Sequence, residues 1–500
     1  MPGWGVNRIV QTLFGVPRNF AAWFLGQIAG WRGWSSRLLK LLPGPLLVVL
    51  VAIVNPLGIN SSSGQISLDG YRRIAANAYP DTGQKKIAVV QIDDRSLAAS
   101  GESHPPSFDF YERLIREIKA AGAESILLDL MIIDRDRQGK PGGLDRLAAS
   151  MDGLPVFMTA AQGGEDGESG CAAEGRQNIE ELRRAVSVEP HPMIRDQASH
   201  VDLFLDDYCG SPRLSAALAV YMHHCGQKAG CWGSEHDPLT SPAAFRDKAL
   251  TIEWGRVWPT GIEAIHTGYR RLAATCPDGS FPDVAGSLAG ILMPFGSDER
   301  FKAPAGCTYH PVIRAEWLTA PDSSQDVDHA ALKDFLAGRI VVVGAKFAGI
   351  PDVGPSPVFG NVPGMFLHAM AIDNLIVRGA GFMTEWPEWK FGDLDMSGLA
   401  EFAAMLAFAA AANVIGRRIA PQTLRAALAW SAALVVAGMA VGLALTAGVV
   451  WLWRLEPANW IGVAFAGVMI AGPARTALSR MWQAARLLDT QANSQNGGQG

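Results

Sequence analysis

The sequence predicts an α/β domain, with a mostly parallel sheet and flanking helices, combined with a four-helix transmembrane region. Apolar runs of strand length, joined through a helical pattern, indicate the sheet, since parallel strands are buried on both faces. Four long segments with almost no charge indicate the membrane spans. At 500 residues the chain is also longer than one compact domain usually is.

The first predicted span covers residues 41–59, because no charged residue lies between Lys40 and Asp69. About twenty apolar residues cross a bilayer as a helix. A cleaved signal peptide is the alternative for such a segment, but forty residues precede it and no A-x-A cleavage site follows it. We therefore predict an uncleaved anchor, preceded by a cytoplasmic or interfacial segment over residues 1–40.

The body between the spans, residues 60–395, begins with the pattern of a parallel β-α-β unit. Residues 86–93 and 124–133 are apolar runs of strand length. Between them, Ser107 is a typical N-cap residue and Gly122 a typical C′ residue of a helix. Further along, the pattern predicts a helix, two strands and a final helix, over residues 212–224, 249–254, 339–344 and 364–377.

Three more spans are predicted near the other end of the chain, over residues 396–416, 426–449 and 457–474. These segments are apolar on all sides, and a soluble protein would need a large body to bury them. Residues 475–500 are predicted to form a short cytoplasmic tail. Four spans place both termini on the same side of the membrane, and the lipid bilayer is the first predicted partner.

The charged residues orient these spans. Eleven basic residues flank them on the side of the termini, whereas the short loop on the other side offers only Arg454. Because positively charged loops stay in the cytoplasm, we predict cytoplasmic termini and an extracytoplasmic body. Residues 60–400 hold 31 basic and 45 acidic residues. This acidic body, with a net charge of −5 for the chain, argues against a nucleic-acid partner.

All six cysteines and all ten histidines lie in the predicted outer body. Disulfides persist outside the cytoplasm, and six cysteines allow fifteen pairings, which stay open. A metal site is the alternative for one dense segment, because zinc binds nitrogen and sulfur ligands. Its residues are His223, His224, Cys225, Cys231 and His236. Their spacing matches no zinc signature, and we predict no cofactor.

Four short motifs and Asp352 occur in the order that is typical of one family. The motifs read IAVVQIDDRSL, AGAESILLD, GRIVVVGA and PGMFLHA, and residues 198–207 (ASHVDLFLDD) are similar to the family's middle segment. Over about residues 86–378 the chain resembles the second class of CHASE domains, which are extracellular sensors associated with cyclases and histidine kinases. One stretch departs from the family pattern, since His104–Phe108 replaces residues that often include Trp, Pro and Arg.

The resemblance implies one span, a sensory domain and three further spans, which is the plan that charge and hydropathy also predict. Members commonly carry a kinase or cyclase after the last span, whereas 26 residues follow it here. We therefore expect signalling in trans to a kinase, a cyclase or another envelope-signalling protein. We also expect a homo-oligomer.

Acidic residues mark the carboxyl ends of the predicted strands. Asp93, Asp94, Asp129 and Asp352 lie at or just beyond these ends, where parallel sheets bind ligands. We predict that they converge on one ligand-binding pocket, with the capping of loops through backbone amides as the alternative. His368, on the last helix of the body, is a further candidate, with a buried core histidine as the alternative.

The sequence contains no established catalytic motif. It lacks G-x-G-x-x-G, the P-loop, H-E-x-x-H and G-x-S-x-G patterns. We therefore predict a sensor in the inner membrane of a bacterium, with its large domain outside and no catalytic residues. A membrane-anchored periplasmic enzyme and a structural subunit of an envelope complex are the alternatives.

Overall fold

The chain forms two compact units. The first comprises residues 1–68, 386–452 and 457–500, and the second comprises residues 69–385 and 453–456. The computed structural model describes residues 59–132, 139–160, 178–192, 194, 199–208, 211–226, 245, 248–277, 306–320, 322, 325–348, 352–386, 390–391, 394–395 and 424–457.

Thirteen strands lie within the described residues. They are β1 (Ile87–Asp93), β2 (Ser125–Asp129), β3 (Val156–Met158), β4 (His200–Asp202), β5 (Phe204–Tyr208), β6 (Ser211–Leu214), β7 (Ala249–Thr251), β8 (Val312–Arg314), β9 (Ile340–Lys346), β10 (Val353–Ser356), β11 (Gly360–Pro363), β12 (Lys390–Phe391) and β13 (Leu394–Asp395).

Eleven α-helices lie within the same residues. They are α1 (Ile59–Ala75), α2 (Asp94–Ala99), α3 (Phe108–Ala120), α4 (Gly143–Ser150), α5 (Glu180–Ala185), α6 (Ala216–Gly226), α7 (Thr267–Ala273), α8 (Glu316–Thr319), α9 (His329–Leu336), α10 (Gly364–Arg378) and α11 (Leu424–Trp453).

A five-stranded sheet with the order β3-β2-β9-β1-β8 forms the centre of the second unit. Every neighbouring pair in it is parallel. The mostly parallel sheet with flanking helices predicted from the sequence is thereby confirmed. The central position belongs to β9, which is the last of these strands along the chain, because it inserts between β1 and β2.

Both faces of this sheet are covered. Val90 and Ile92 of β1 point into one core, which α3, α4 and α9 complete. Ile87 and Val89 point into the other core, which α6 and α10 complete. All four side chains are fully buried, as the continuous apolar run of β1 predicts for a strand covered on both faces.

Local sequence signals define α3. Ser107 is its N-cap, and the Ser107 hydroxyl accepts a hydrogen bond from the amide of Phe110 at 3.2 Å. Gly122 follows the helix with a φ of +78°, a conformation that glycine adopts without strain. The buried stripe includes Leu114 and Ile118, which follow Phe110 at helical spacing. The helix predicted between Ser107 and Gly122 is therefore confirmed.

Long apolar helices were predicted for the membrane region. Within the described residues, one helix is long and apolar enough to cross a bilayer: α11, over Val436–Trp453, most of which is not buried. The predicted third span, residues 426–449, lies inside α11. The other three predicted spans fall outside the described residues, apart from Ile59 and Pro457. The four-span arrangement stays a prediction.

Candidate functional site

Two candidate residues meet at the carboxyl edge of the central sheet. Asp129 is the last residue of β2, and His368 lies in the second turn of α10. The Nε2 atom of His368 lies 3.4 Å from Oδ1 of Asp129. Both side chains are largely buried, with exposed fractions of 5% for His368 and 11% for Asp129. The pair therefore combines a carboxyl group and an imidazole in an environment that is largely shielded from solvent.

A close approach of α10 to the sheet brings His368 to this edge. Gly344 of β9 pairs with Asp129 of β2. A Cβ atom on Gly344 would lie 2.6 Å from the Cβ of Met365 at the start of α10, which is too close for two carbon atoms. Glycine at position 344 thus lets the first turn of α10 rest directly on the sheet, with His368 three residues further along.

Asp352 lies at the beginning of the same helix. The amide of Gly364, the first residue of α10, donates to the backbone oxygen of Asp352 at 3.1 Å. A Cβ atom on Gly364 would lie 2.6 Å from Oδ1 of Asp352, so the carboxylate occupies the space beside the helix start. Asp129, Asp352 and His368 are called the Asp129 cluster below.

The carboxylates of the Asp129 cluster hold protons more tightly than ordinary aspartates. Burial raises the pKa of Asp129, and the attraction of His368 only partly offsets it. Desolvation also raises the pKa of Asp352, to which repulsion from Asp129 adds. Nearby, burial lowers the pKa of His191 to about 3, with a further contribution from His368. His191 is therefore a neutral imidazole at physiological pH.

The polar atoms of the Asp129 cluster form few hydrogen bonds with the described residues. Neither carboxylate accepts a side-chain hydrogen bond within the part of the chain that the structure describes, and Nδ1 of His368 is buried there without a hydrogen-bond partner. Buried polar groups are normally hydrogen-bonded. A neighbouring acid shows the contrast, because Asp373 is fully buried and accepts from both Tyr79 and His310. The Asp129 cluster thus retains capacity to bind a hydrogen-bond donor.

Two other predicted residues accept hydrogen bonds from backbone amides. Oδ1 of Asp93 accepts from the amide and the hydroxyl of Ser96, at 2.8 and 2.9 Å, and so caps α2. Oδ2 of Asp94 accepts from the amide of Ala348 at 3.0 Å. The structure therefore brings Asp129, Asp352 and His368 together, and gives Asp93 and Asp94 capping contacts.

The predicted metal segment is only partly described. His223, His224 and Cys225 lie on α6, where Nδ1 of His224 is 2.6 Å from Oε1 of Glu124 and Cys225 is disulfide-bonded. Cys231 and His236 lie outside the described residues. Over the described residues alone, no group of three or more His, Cys, Asp or Glu side chains is arranged to hold a metal ion. The zinc alternative stays a prediction.

A buried polar network that the sequence analysis missed lies further along α10. Asp373 and Asn374 are both buried in this helix. Tyr79 donates to Asp373 at 2.8 Å, and Asn374 donates to the Tyr79 oxygen at 2.6 Å. Arg378 forms a bidentate ion pair with Glu253 at 3.0 and 3.1 Å. Charged residues inside the otherwise apolar α10 were the signal that could have revealed it.

Replacing Gly344 by valine is expected to lower the free energy of unfolding by about 1–3 kcal/mol, because the new side chain overlaps Met365 and overpacks the core. Denaturant unfolding of the full chain in detergent measures the change. Gly381→Ala is the control, since nothing lies within 4 Å of a Cβ atom there, and it should change stability by less than about 0.5 kcal/mol. Equal stability of both variants would show that the contact of α10 with the sheet is not tight.

Comparison with models of known protein families identifies the fold family of the body. The family model of the CHASE2 domain matches residues 46–410, which is most of the chain and includes the whole central sheet. Neither the curated proteins nor the solved structures contain a significant match. The matched residues include Asp129, Asp352 and His368.

Proposed function

Because the chain belongs to the CHASE2 domain family, whose members are extracellular sensory domains, we propose that it is a membrane-anchored sensor that binds its ligand at the Asp129 cluster. The observation that supports this most directly is Nδ1 of His368, which is buried beside the Asp129 carboxylate without a hydrogen-bond partner among the described residues. The position of the Asp129 cluster also supports this proposal, since ligands of parallel α/β sheets bind outside the carboxyl ends of the strands.

The chemistry of the cluster favours a cationic ligand. Two carboxylates and an imidazole offer acceptors for the N–H groups of an ammonium or guanidinium group. Two exposed apolar side chains adjoin the cluster along the chain: Met131, two residues after Asp129, and Val353, next to Asp352. A ligand with a cationic head and a short apolar part fits both features.

Two features support a membrane anchor that is joined to the sensory body. The helix α11 is long and apolar enough to cross a bilayer. Residues 454–456, which follow α11 directly, belong to the same compact unit as the sensory body. In this proposal the body lies outside the inner membrane, and the signal passes through the spans to a separate kinase, cyclase or other partner.

Thermal-shift measurements on the full chain in detergent test the ligand site. Aliphatic amines and guanidines form the panel, and the corresponding carboxylates are the controls. A true ligand at 100 times its dissociation constant stabilises the protein by about 2.7 kcal/mol. Asp352→Asn should weaken binding about 10- to 150-fold, because a hydrogen bond to a charged group contributes about 1.5–3 kcal/mol. Equal binding by Asp352→Asn and by the native chain would contradict the site.

Asp129→Asn is expected to stabilise the unliganded protein at neutral pH. The raised pKa of Asp129 means that the folded state binds this proton more tightly than the unfolded state. Its stabilising contribution is full below the unfolded value of about 3.9 and is lost as the pH rises through the raised folded value. Asparagine avoids that loss, so the gain above this window is about 0.5–2 kcal/mol.

Chemical unfolding of both proteins between about pH 3 and pH 8 measures this difference. The two stabilities should converge at the acidic end of the range. A variant that is less stable than the native chain at neutral pH would mean that attraction to His368 outweighs the burial of Asp129.

A further inference from the structure

A short segment after α11 is joined to the sensory unit through a β-bridge. β4 and β7 form an antiparallel ribbon, and Thr384 bridges Leu250 of β7 on one side and Leu455 on the other. The amide of Thr384 donates to the oxygen of Arg454 at 2.9 Å, and the amide of Glu456 donates to the oxygen of Thr384 at 2.9 Å. Residues 454–456 are called the docked segment below.

One side chain holds the docked segment to the ribbon. Oε1 of Glu456 lies 2.5 Å from Nε2 of His200 in β4 and accepts from the hydroxyl of Thr251 in β7 at 2.9 Å. The exposed fractions are 8% for the His200 side chain and 16% for the Glu456 side chain. A hydrogen bond to a carboxylate at this depth constrains geometry more strongly than an exposed one.

The surrounding charges keep Glu456 ionised. Burial alone would raise the pKa of Glu456, but its hydrogen bond with His200 and the charges of His200 and Arg72 lower it below the ordinary value. Arg72, in α1, donates to the hydroxyl and to the backbone oxygen of Ser199, next to β4. A second acid, Glu385, lies 3.5 Å from Nδ1 of His200. His200 therefore lies between two carboxylates, one on the docked segment and one beside Thr384.

The residues that form this contact lie near the predicted membrane spans in the sequence. The docked segment begins one residue after Trp453, the last residue of α11, and lies between the predicted spans 426–449 and 457–474. Arg72 follows the predicted first span, and Thr384 precedes the predicted second span, residues 396–416. Segments adjoining all four predicted spans thus converge on the β4–β7 ribbon.

The same ribbon adjoins the Asp129 cluster through His191. The backbone of His191 bridges Ser215, and the amide of Ser215 donates at 2.9 Å to the oxygen of Leu203, next to Asp202 at the end of β4. The His191 ring is close enough to His368 for the two imidazoles to affect each other electrostatically. Asp202 pairs with Ala249 of β7. This electrostatic interaction and the backbone hydrogen bonds therefore connect His368, through His191, to the ribbon that holds the docked segment.

We infer that the docked segment is the transmission contact of the sensor, and that β4 and β7 couple its position to the state of the Asp129 cluster. This inference rests on the proposed function, because it takes the Asp129 cluster as the input. A contact of this kind transmits a signal when the two states of the input differ in how strongly they favour docking. A change in the position of the docked segment is then passed to α11, because the two are covalently joined.

Hydrogen–deuterium exchange of the full chain in lipid nanodiscs tests the docking. The amides of Thr384 and Glu456 should exchange at least about 100-fold more slowly than in a free peptide, since both are hydrogen-bonded. Glu456→Ala should raise exchange about tenfold or more in residues 454–456, and also in β4 and β7. Glu112→Ala is the matched control, because Glu112 is 17% exposed and ion-paired to Arg116 at 2.6 Å on α3, away from the ribbon.

The same exchange experiment on Asp129→Asn tests the coupling. This substitution alters the Asp129 cluster and leaves the residues of the ribbon unchanged. Its exchange at residues 454–456 should differ from that of the native chain by about threefold or more. Three results are distinguishable. Exchange of Glu456 at the free-peptide rate overturns the docking. Docking with no response to Asp129→Asn overturns the coupling. Failure of every amine and guanidine to bind, with docking and coupling intact, overturns the proposed ligand class alone.

Discussion

Replacing Asp373 by alanine is expected to lower the free energy of unfolding of the sensory unit by about 2–6 kcal/mol, because it leaves two buried hydrogen-bond donors without a partner, at about 1–3 kcal/mol each. Asp373 is fully buried, and its carboxylate accepts from Tyr79 at 2.8 Å and contacts Nε2 of His310 at 2.9 Å. Burial, together with the charge of Asp373, raises the pKa of Tyr79 well above its ordinary value, so the hydroxyl stays a donor. Alanine would leave Tyr79 and His310 without this acceptor.

Denaturant unfolding of the full chain in detergent measures the loss. Asp373→Asn keeps the shape but replaces one acceptor by a donor, so it should lose less than the alanine variant. The exposed Asp145, in the first turn of α4, supplies the control, and Asp145→Ala should change stability by less than about 0.5 kcal/mol. A loss below about 1 kcal/mol for Asp373→Ala would show that the network is replaceable by water.

Asp373 also fixes the chain that precedes the sheet. A Cβ atom on Gly83 would lie 2.4–2.6 Å from the Asp373 carboxyl group, so the backbone at Gly83 passes directly over it. Gln84, the next residue, donates to the backbone oxygens of Val257 and Tyr309. The network therefore connects the segment before β1 to α10. This contact explains why an aspartate lies in the apolar core.

The central strands and α3 were predictable because their signals are local. β1, β2 and β9 are continuous apolar runs, and Ser107 and Gly122 cap α3 by their own backbone chemistry. The order of the strands was not predictable, because β9 pairs with strands more than 200 residues away in sequence. The short strands β3, β4 and β7 have three residues each, too few for a periodic signal.

The candidate site shows the same division between local and distant determinants. Asp93 and Asp129 both end apolar strands, and the sequence pattern treats them alike. They differ because α2 begins directly after Asp93, which makes Asp93 an N-cap, whereas the next described helix after Asp129 begins at residue 143. The role of His191 was not predictable, because its relation to His368 arises only when distant segments meet.

Arg454 connects the charge pattern of the sequence to the structure. It is the one basic residue in the short loop that is predicted to lie outside, between the third and fourth spans. The structure places residues 453–456 in the same compact unit as the sensory body. A loop that shares a unit with the body must lie on the same side of a bilayer, as the prediction requires.

Removing the disulfide between Cys276 and Cys307 is expected to lower the free energy of unfolding by about 3.7 kcal/mol. The two residues are separated by 31 positions and both are buried. Cross-linking a loop of this length restricts the unfolded chain, and the chain-entropy relation gives about that value. The six cysteines allowed fifteen pairings, so the sequence alone did not identify this pair.

The double variant Cys276→Ala with Cys307→Ala provides the measurement, by denaturant unfolding of the full chain under oxidising conditions. Changing both residues avoids a free thiol that could mispair with Cys225, which is itself disulfide-bonded. Adding a thiol reductant to the native chain should lower stability at least as far as the double variant, because it opens every accessible disulfide. A double variant as stable as the native chain would show that the packed apolar core around α7 and β8 holds the region without the cross-link.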